Sequence, residues 1–99
     1  MEKVTKPKVR TLATGTELVT KQMQAETGDL LPKHLADVES MLFIHEGACT
    51  LHIQGKDVEL KAGDAYTIPA KEKHQIRVKE DFKGVHFMPK HIKFEFFDE

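Results

Sequence analysis

The stretch from Gly63 to His74, GDAYTIPAKEKH, determines how this chain folds. It opens with Gly63-Asp64, a turn-forming pair, and continues with Ala65 to Ile68, a short apolar run of strand character. Pro69 then marks a second turn, after which the segment HQIRV alternates between two faces. The stretch therefore predicts a turn, a strand and a second turn that places His74 on the next strand.

The residues on either side of this stretch carry the same two-residue period. Cys49, Leu51 and Ile53 alternate with polar residues, and Gly55-Lys56 predicts a tight hairpin into another alternating strand. Ser40 to His45 is almost continuously apolar, which predicts a strand buried on both faces. Short strands separated by glycine turns are typical of an all-β sandwich or barrel.

The remaining segments are assigned from turn residues and alternation. Residues 9–14 are a candidate first strand after a loose N-terminal arm, and residues 17–25 favour a strand over a helix because Gly28-Asp29 follows and no cap precedes. Glu46-Gly47 predicts a turn, Lys79 to Lys83 a charged loop, and residues 84–88 the last strand before Pro89.

Two motifs in this sequence resemble those of the cupins. The second cupin motif has glycine, proline, glycine, histidine and asparagine at fixed spacing. Gly63, Pro69 and His74 fall in register with it, while Lys71 and Val78 replace the second glycine and the asparagine. The resemblance implies an all-β cupin jelly-roll barrel, also called a double-stranded β-helix.

The first cupin motif lies upstream and keeps its spacing without a gap. Gly28, His34 and Gly47 match it, whereas Ala36 and Ser40 stand where a second histidine and a glutamate are expected. The resemblance covers roughly residues 16–89. We expect one cupin domain over residues 1–99, with a further C-terminal strand at 90–97.

The resemblance to metal-dependent cupins implies a site in which three histidines and one glutamate bind a divalent ion. At these four motif positions the sequence has two residues able to bind a metal, His34 and His74. Two imidazoles alone bind transition metals weakly. His86 is the best candidate for a third ligand, although alternation leaves open whether His86, or Val85 and Phe87, points into the barrel.

The favoured interpretation is a cupin that binds a small, oxygen-rich molecule and has an incomplete metal site. The predicted pocket residues are His34, Ser40, Tyr66, His74 and His86. The alternative is a metal-dependent enzyme of dioxygenase, isomerase or decarboxylase type. A metal-independent enzyme with a histidine base and a Tyr66 acid, as the resemblance to cupin epimerases suggests, and a purely structural module also stay open.

Composition excludes several other classes of protein. The 99 residues include 15 basic and 16 acidic side chains without a basic block, so we expect no nucleic-acid partner. There is no apolar run of membrane-spanning length and no signal-peptide pattern at the start, so we expect no membrane association. The single cysteine, Cys49, suits a reducing compartment, and we expect a cytoplasmic protein.

The C-terminal segment HIKFEFFDE is itself apolar on one face. Ile92, Phe94 and Phe96 alternate with charged residues, so this face must be buried on the same barrel or on a second subunit. We expect a homodimer that uses this segment, with the N-terminal arm as a further candidate for the interface. The alternative is that the tail folds back onto the chain's own barrel.

Overall fold

The structure of this protein, a computed structural model, describes residues 2–98, and within them every regular element is a β-strand. The eight strands are β1 (Lys8–Thr14), β2 (Leu18–Ala25), β3 (Lys33–Ala36), β4 (Ser40–Ile53), β5 (Lys56–Lys61), β6 (Ala65–Ile68), β7 (His74–Pro89) and β8 (Phe94–Phe97). The all-β prediction is confirmed, including the strand rather than helix at β2.

Two long strands, β4 and β7, organise the barrel. The first half of β7 pairs with β3 and the end of β4, and its second half pairs with β2 and the start of β4. Strands β1 and β2 extend one side, β5 and β6 pair with β4, and β8 pairs with β3. All these pairings are antiparallel, and the curled eight-stranded sheet is consistent with the jelly-roll barrel expected from the two motifs.

The barrel core comes from the inward positions of these strands. The inner face predicted for β4 is confirmed, since Cys49, Leu51 and Ile53 are all buried, but Thr50 on the other face is buried as well, where its hydroxyl donates to Glu59. They join one cluster whose further members include Leu42, Ile44, Ile76, Val78 and Phe82. Two residues of this cluster, Leu31 and Ile76, also line the cavity described below.

A turn and a loop predicted from the sequence are absent from the structure. Glu46-Gly47 is not a turn, because β4 continues through it with register shifts against β7, and Gly47 has a φ of +82° there. The segment Lys79 to Lys83 is not a loop, because β7 runs through it and buries Phe82 among its charged neighbours. A bulge lets a long strand bend without ending, which local sequence does not distinguish from a turn.

Two smaller predictions are also corrected. The hairpin between β4 and β5 turns at Gln54 and Gly55, since Ile53 already pairs with Lys56. The start of β4 is not buried on both faces, because Met41 is 44% exposed. Its apolar residues alternate between the core and the outer surface.

The described residues near both termini, in the N-terminal arm and in β8, contact the barrel. Strand β8 pairs with β3 of the same chain, so the tail folds back onto its own barrel, but the apolar face is not buried there, since Phe96 stays 62% exposed. The N-terminal arm is held where Thr5 N donates to Leu30 O at 2.8 Å and the Arg77 guanidinium binds the Glu2 carboxylate. The homodimer concerns a second chain and stays a prediction, as does the cytoplasmic location. Residues 2–98 contain no helix able to span a membrane.

Candidate functional site

Strand pairing brings the two motif histidines together. His34 of β3 and His74 of β7 are direct cross-strand partners, so their side chains lie on the same face of the sheet. Their rings meet edge to face with centroids 4.4 Å apart. The structure thus places the two residues side by side, as the motif spacing predicts.

Backbone carbonyls fix how these two imidazoles are protonated. His34 Nδ1 lies 3.1 Å from Pro32 O, and His74 Nδ1 lies 2.9 Å from Glu72 O. A carbonyl oxygen only accepts hydrogen bonds, so Nδ1 carries the proton and donates in both rings. In the neutral form each Nε2 therefore has a free lone pair for a ligand group.

His86 is the third histidine of the site. It pairs in register with Leu42, a buried core residue, and its Nε2 lies 2.7 Å from the Ser40 hydroxyl. Phe87, the next residue, is 45% exposed on the opposite face. Of the alternatives that the sequence left open, His86 lines the cavity and Phe87 does not, while Val85 is buried without lining the cavity.

The C-terminal strand adds two aromatic rings. Phe94 and Phe96 lie opposite Ala36 and His34 in the β3–β8 register, and their centroids are 5.5 and 5.3 Å from that of His34. Phe94 also lies 6.1 Å from His86. The rings stay 37% and 62% exposed, so they form a wall of an open site rather than a closed core.

These residues line a cavity of about 730 Å³. His34 and His86 are its imidazoles, and most of its other lining is apolar. That apolar lining includes Val9, Met23, Leu31, Ile76, Met88, Phe94 and Phe96. His74 lies beside His34 but lines a separate, more open cleft of about 480 Å³ with His52, Lys73 and Gln75. The main cavity is therefore centred on His34 and His86, not on His34 and His74.

Tyr66 does not take the place that the sequence suggested. It is half-buried and packs against the hydrophobic core, and it is not among the residues that line the main cavity. Its partner across β4 is Leu42, which accounts for that position. Cys49 is fully buried, and burial raises the pKa of its thiol to about 12, so it is not a nucleophile at neutral pH.

Several cavity residues were not predicted from the sequence. Met23, Met88 and Lys21 belong to strands whose inward positions were not assigned, and no short motif marks them. For Phe94 and Phe96 the signal was present, since the tail alternates with period two. What the sequence lacked was the partner strand, β3, that carries their rings to His34.

Burial keeps the site's histidines neutral. Desolvation, followed by the neighbouring charge of His74, lowers the pKa of His34 to about 4. Desolvation and then the charges of His34 and His74 lower the pKa of His86 to about 4. The pKa of His74 is also lowered, mainly by burial. Near pH 7 the site thus presents neutral imidazoles, each with one donor and one acceptor.

These lowered pKa values predict that the folded state loses stability as the pH falls. The unfolded chain binds protons at these histidines below about pH 6.5, whereas folded His34 and His86 resist protonation until about pH 4. Stability should therefore fall as the pH is lowered through this window, by about 1–2 kcal/mol for each histidine between pH 7.5 and 5. Urea unfolding at the two pH values measures this loss.

The variant His86→Gln should show a smaller loss of stability between those pH values, because one imidazole no longer resists protonation. His45→Gln is the matched control, since His45 is exposed and its Nε2 lies 3.8 Å from the equally exposed Glu46 carboxylate. If His86→Gln kept the full pH dependence, the buried histidines would not be its cause.

The described residues do not form the metal site that the resemblance implies. Ala36 has no donor atom, and the Ser40 hydroxyl is engaged by His86. Within residues 2–98 no three histidine, cysteine, aspartate or glutamate side chains are grouped closely enough to hold an ion. The residues thus supply imidazoles without a carboxylate to offset a divalent charge.

The fold and both motifs agree with the family comparison. The cupin domain family matches residues 21–88, about two thirds of the sequence. This chain belongs to the cupin family. No curated protein sequence is similar enough to count as a match.

Solved structures of the same fold come from several bacteria. A cupin-2 domain protein from Shewanella frigidimarina is 23% identical, with a TM-score of 0.74 over 91% of this chain and 85% of that one. A cupin superfamily protein from Desulfitobacterium hafniense is 16% identical, with a TM-score of 0.77 over 90% and 82%. Salicylate 1,2-dioxygenase adducts with gentisate, from Pseudoaminobacter salicylatoxidans, give 12% identity and a TM-score of 0.79. This chain covers 29% of that enzyme.

Proposed function

We propose that this cupin binds a small organic molecule in the cavity between the N-terminal arm and the C-terminal strand. The observation that carries the proposal is a mostly apolar cavity of about 730 Å³ whose barrel wall carries a few polar side chains, those of His34, His86 and Lys21. Binding sites for small molecules are usually of this volume, mostly apolar, with a few placed polar groups. The ligand is thus expected to have an apolar body, rather than to be oxygen-rich throughout.

The chemistry of the imidazoles supports a binding role. His34 is oriented by Pro32 O and offers the Nε2 lone pair to a donor on the ligand. His86 is held by Ser40 and can exchange that hydrogen bond for one to the ligand. Phe94 and Phe96 give flat apolar surfaces beside both rings. A molecule with one aromatic or alicyclic body and one or two polar groups matches this arrangement.

A cavity-filling variant tests the proposal. Val9 lies on the edge strand β1, lines the cavity and is 56% exposed, so Val9→Trp adds an indole there with little strain on the core. With neutral 1-naphthylacetamide as the fluorescent probe, we expect saturable binding to the native chain. Affinity should fall about tenfold in Val9→Trp, since a few lost heavy-atom contacts are worth about 0.3 kcal/mol or more each.

The matched control is Leu12→Trp, on the same strand at a residue that is also exposed and does not line the cavity. It should change the affinity for the probe less than about twofold, because the cavity keeps its shape. Equal effects of the two variants, or no saturable binding by the native chain, would overturn the proposal.

A metal-dependent enzyme is the second candidate function. It is favoured by one observation, the free Nε2 lone pairs of His34 and His74, whose Nδ1 atoms donate to backbone carbonyls in the manner of metal-bound histidines. A third imidazole, that of His86, would have to leave Ser40 to join them. Stoichiometric divalent metal in the purified protein would favour this function over a binding protein.

A further inference from the structure

One positively charged side chain, that of Lys21, lines the cavity on the barrel wall. Lys21 lies on β2 between His86 of β7 and Thr11 of β1, and direct cross-strand partners project to the same face. It is half-buried, and it lines the cavity beside Met23 and His86. The lysine is thus placed next to the imidazole that Ser40 holds.

Lys21 has no acidic partner among residues 2–98, since no hydrogen bond or ion pair joins it to a carboxylate there. The other charged residues of the lining are Lys6 and Asp98, on the two chain ends that frame the cavity. Both are exposed, whereas Lys21 is on the barrel wall. The two lysines outnumber the aspartate, and the cavity histidines are neutral near pH 7.

An ammonium group that lines a mostly apolar cavity and has no acidic partner among the described residues forms a favourable ion pair with an anion that enters the cavity. We propose, resting on the binding function above, that the ligand is an organic carboxylate whose anionic group pairs with Lys21. Its apolar body lies against Met23, Phe94 and Phe96. The adjacent His86 ring accepts or donates a hydrogen bond to the same end of the ligand.

Two probes of the same shape distinguish the contribution of charge to the binding affinity from that of apolar contact. 1-Naphthylacetate carries a carboxylate where 1-naphthylacetamide carries a neutral amide. The native chain should bind the acetate more tightly. In Lys21→Met, which keeps the length of the side chain without its charge, affinity for the acetate should fall about tenfold, and affinity for the amide should change less than about twofold.

Two further variants control the measurement. Lys21→Arg retains a cation and should keep the preference for the acetate within about threefold of the native value. Lys8→Met removes the same charge from β1 at an exposed residue that does not line the cavity, and it should leave the preference unchanged. Fluorescence titration of all four proteins, at low and at high salt, gives the affinities.

The outcomes distinguish this inference from the binding function itself. Suppose that the amide binds and that Lys21→Met lowers the affinity for both probes equally, or for neither of them. The cavity then binds small molecules, but Lys21 does not select an anion. If Lys8→Met lowers affinity for the acetate as much as Lys21→Met, the effect comes from net charge and the inference is wrong. If neither probe binds to the native chain, both proposals fail together.

Discussion

Restoring the two missing ligands, with Ala36→His and Ser40→Glu, is expected to raise affinity for nickel or zinc by about 100-fold or more. Ala36 follows His34 by two residues on β3, and Ser40 binds His86. Both positions are buried, so the carboxylate placed at residue 40 gains most when a cation neutralises it. Because Ala36 pairs directly with Phe94, the new imidazole needs that ring removed. The variant should therefore also carry Phe94→Ala.

The measurements are calorimetric titration with each metal and the melting temperature with and without it. The metal-free variant should be less stable than the native chain, since it buries an unpaired carboxylate, and metal should restore that stability. The matched control is Ala36→Phe with Ser40→Gln and Phe94→Ala, which has similar volumes and no added ligand. If the native chain already binds metal as tightly as the variant, other residues must complete the site.

Gly47→Ala is expected to destabilise the fold by about 3–5 kcal/mol or to prevent folding, because two costs coincide at this bulge. Gly47 has a φ of +82°, which is unfavourable for alanine. A Cβ there would also lie 2.0 Å from Asp81 O and 2.8 Å from Glu80 O, both backbone atoms that cannot move aside. The bulge in β4 thus requires glycine where it passes β7.

Gly55→Ala separates the two costs. Gly55 has a φ of +73°, but a Cβ there meets no atom within 4 Å. This variant should lose only the backbone strain, about 1–2 kcal/mol. Urea unfolding of both variants, with soluble yield as a second readout for Gly47→Ala, checks the difference. Equal losses would show that the approach of β7 to Gly47 does not constrain the fold.

The sequence by itself determined the fold class and the pair of histidines. Alternation in β4 and β5 follows from burying one face of each strand, so it is visible without a partner strand. The spacing of Gly63, Pro69 and His74 is local, and it places His74 at the start of β7. Likewise, Gly28 and His34 keep the spacing of the first motif. Features that depend on neighbours in sequence were therefore predicted.

Tertiary structure alone decided where strands bend, where the tail lies and what the pocket contains. The bulge at Gly47 resembles a turn in sequence, because both need glycine, and only pairing with β7 shows that β4 continues. Tyr66 and His86 are both register partners of Leu42, yet Tyr66 packs against the core and His86 lines the cavity. Lys21 meets His86 only through the β2–β7 register, which joins residues far apart in the chain. Long-range register depends on which strands pair, and that is decided by packing of the whole barrel rather than by any local segment.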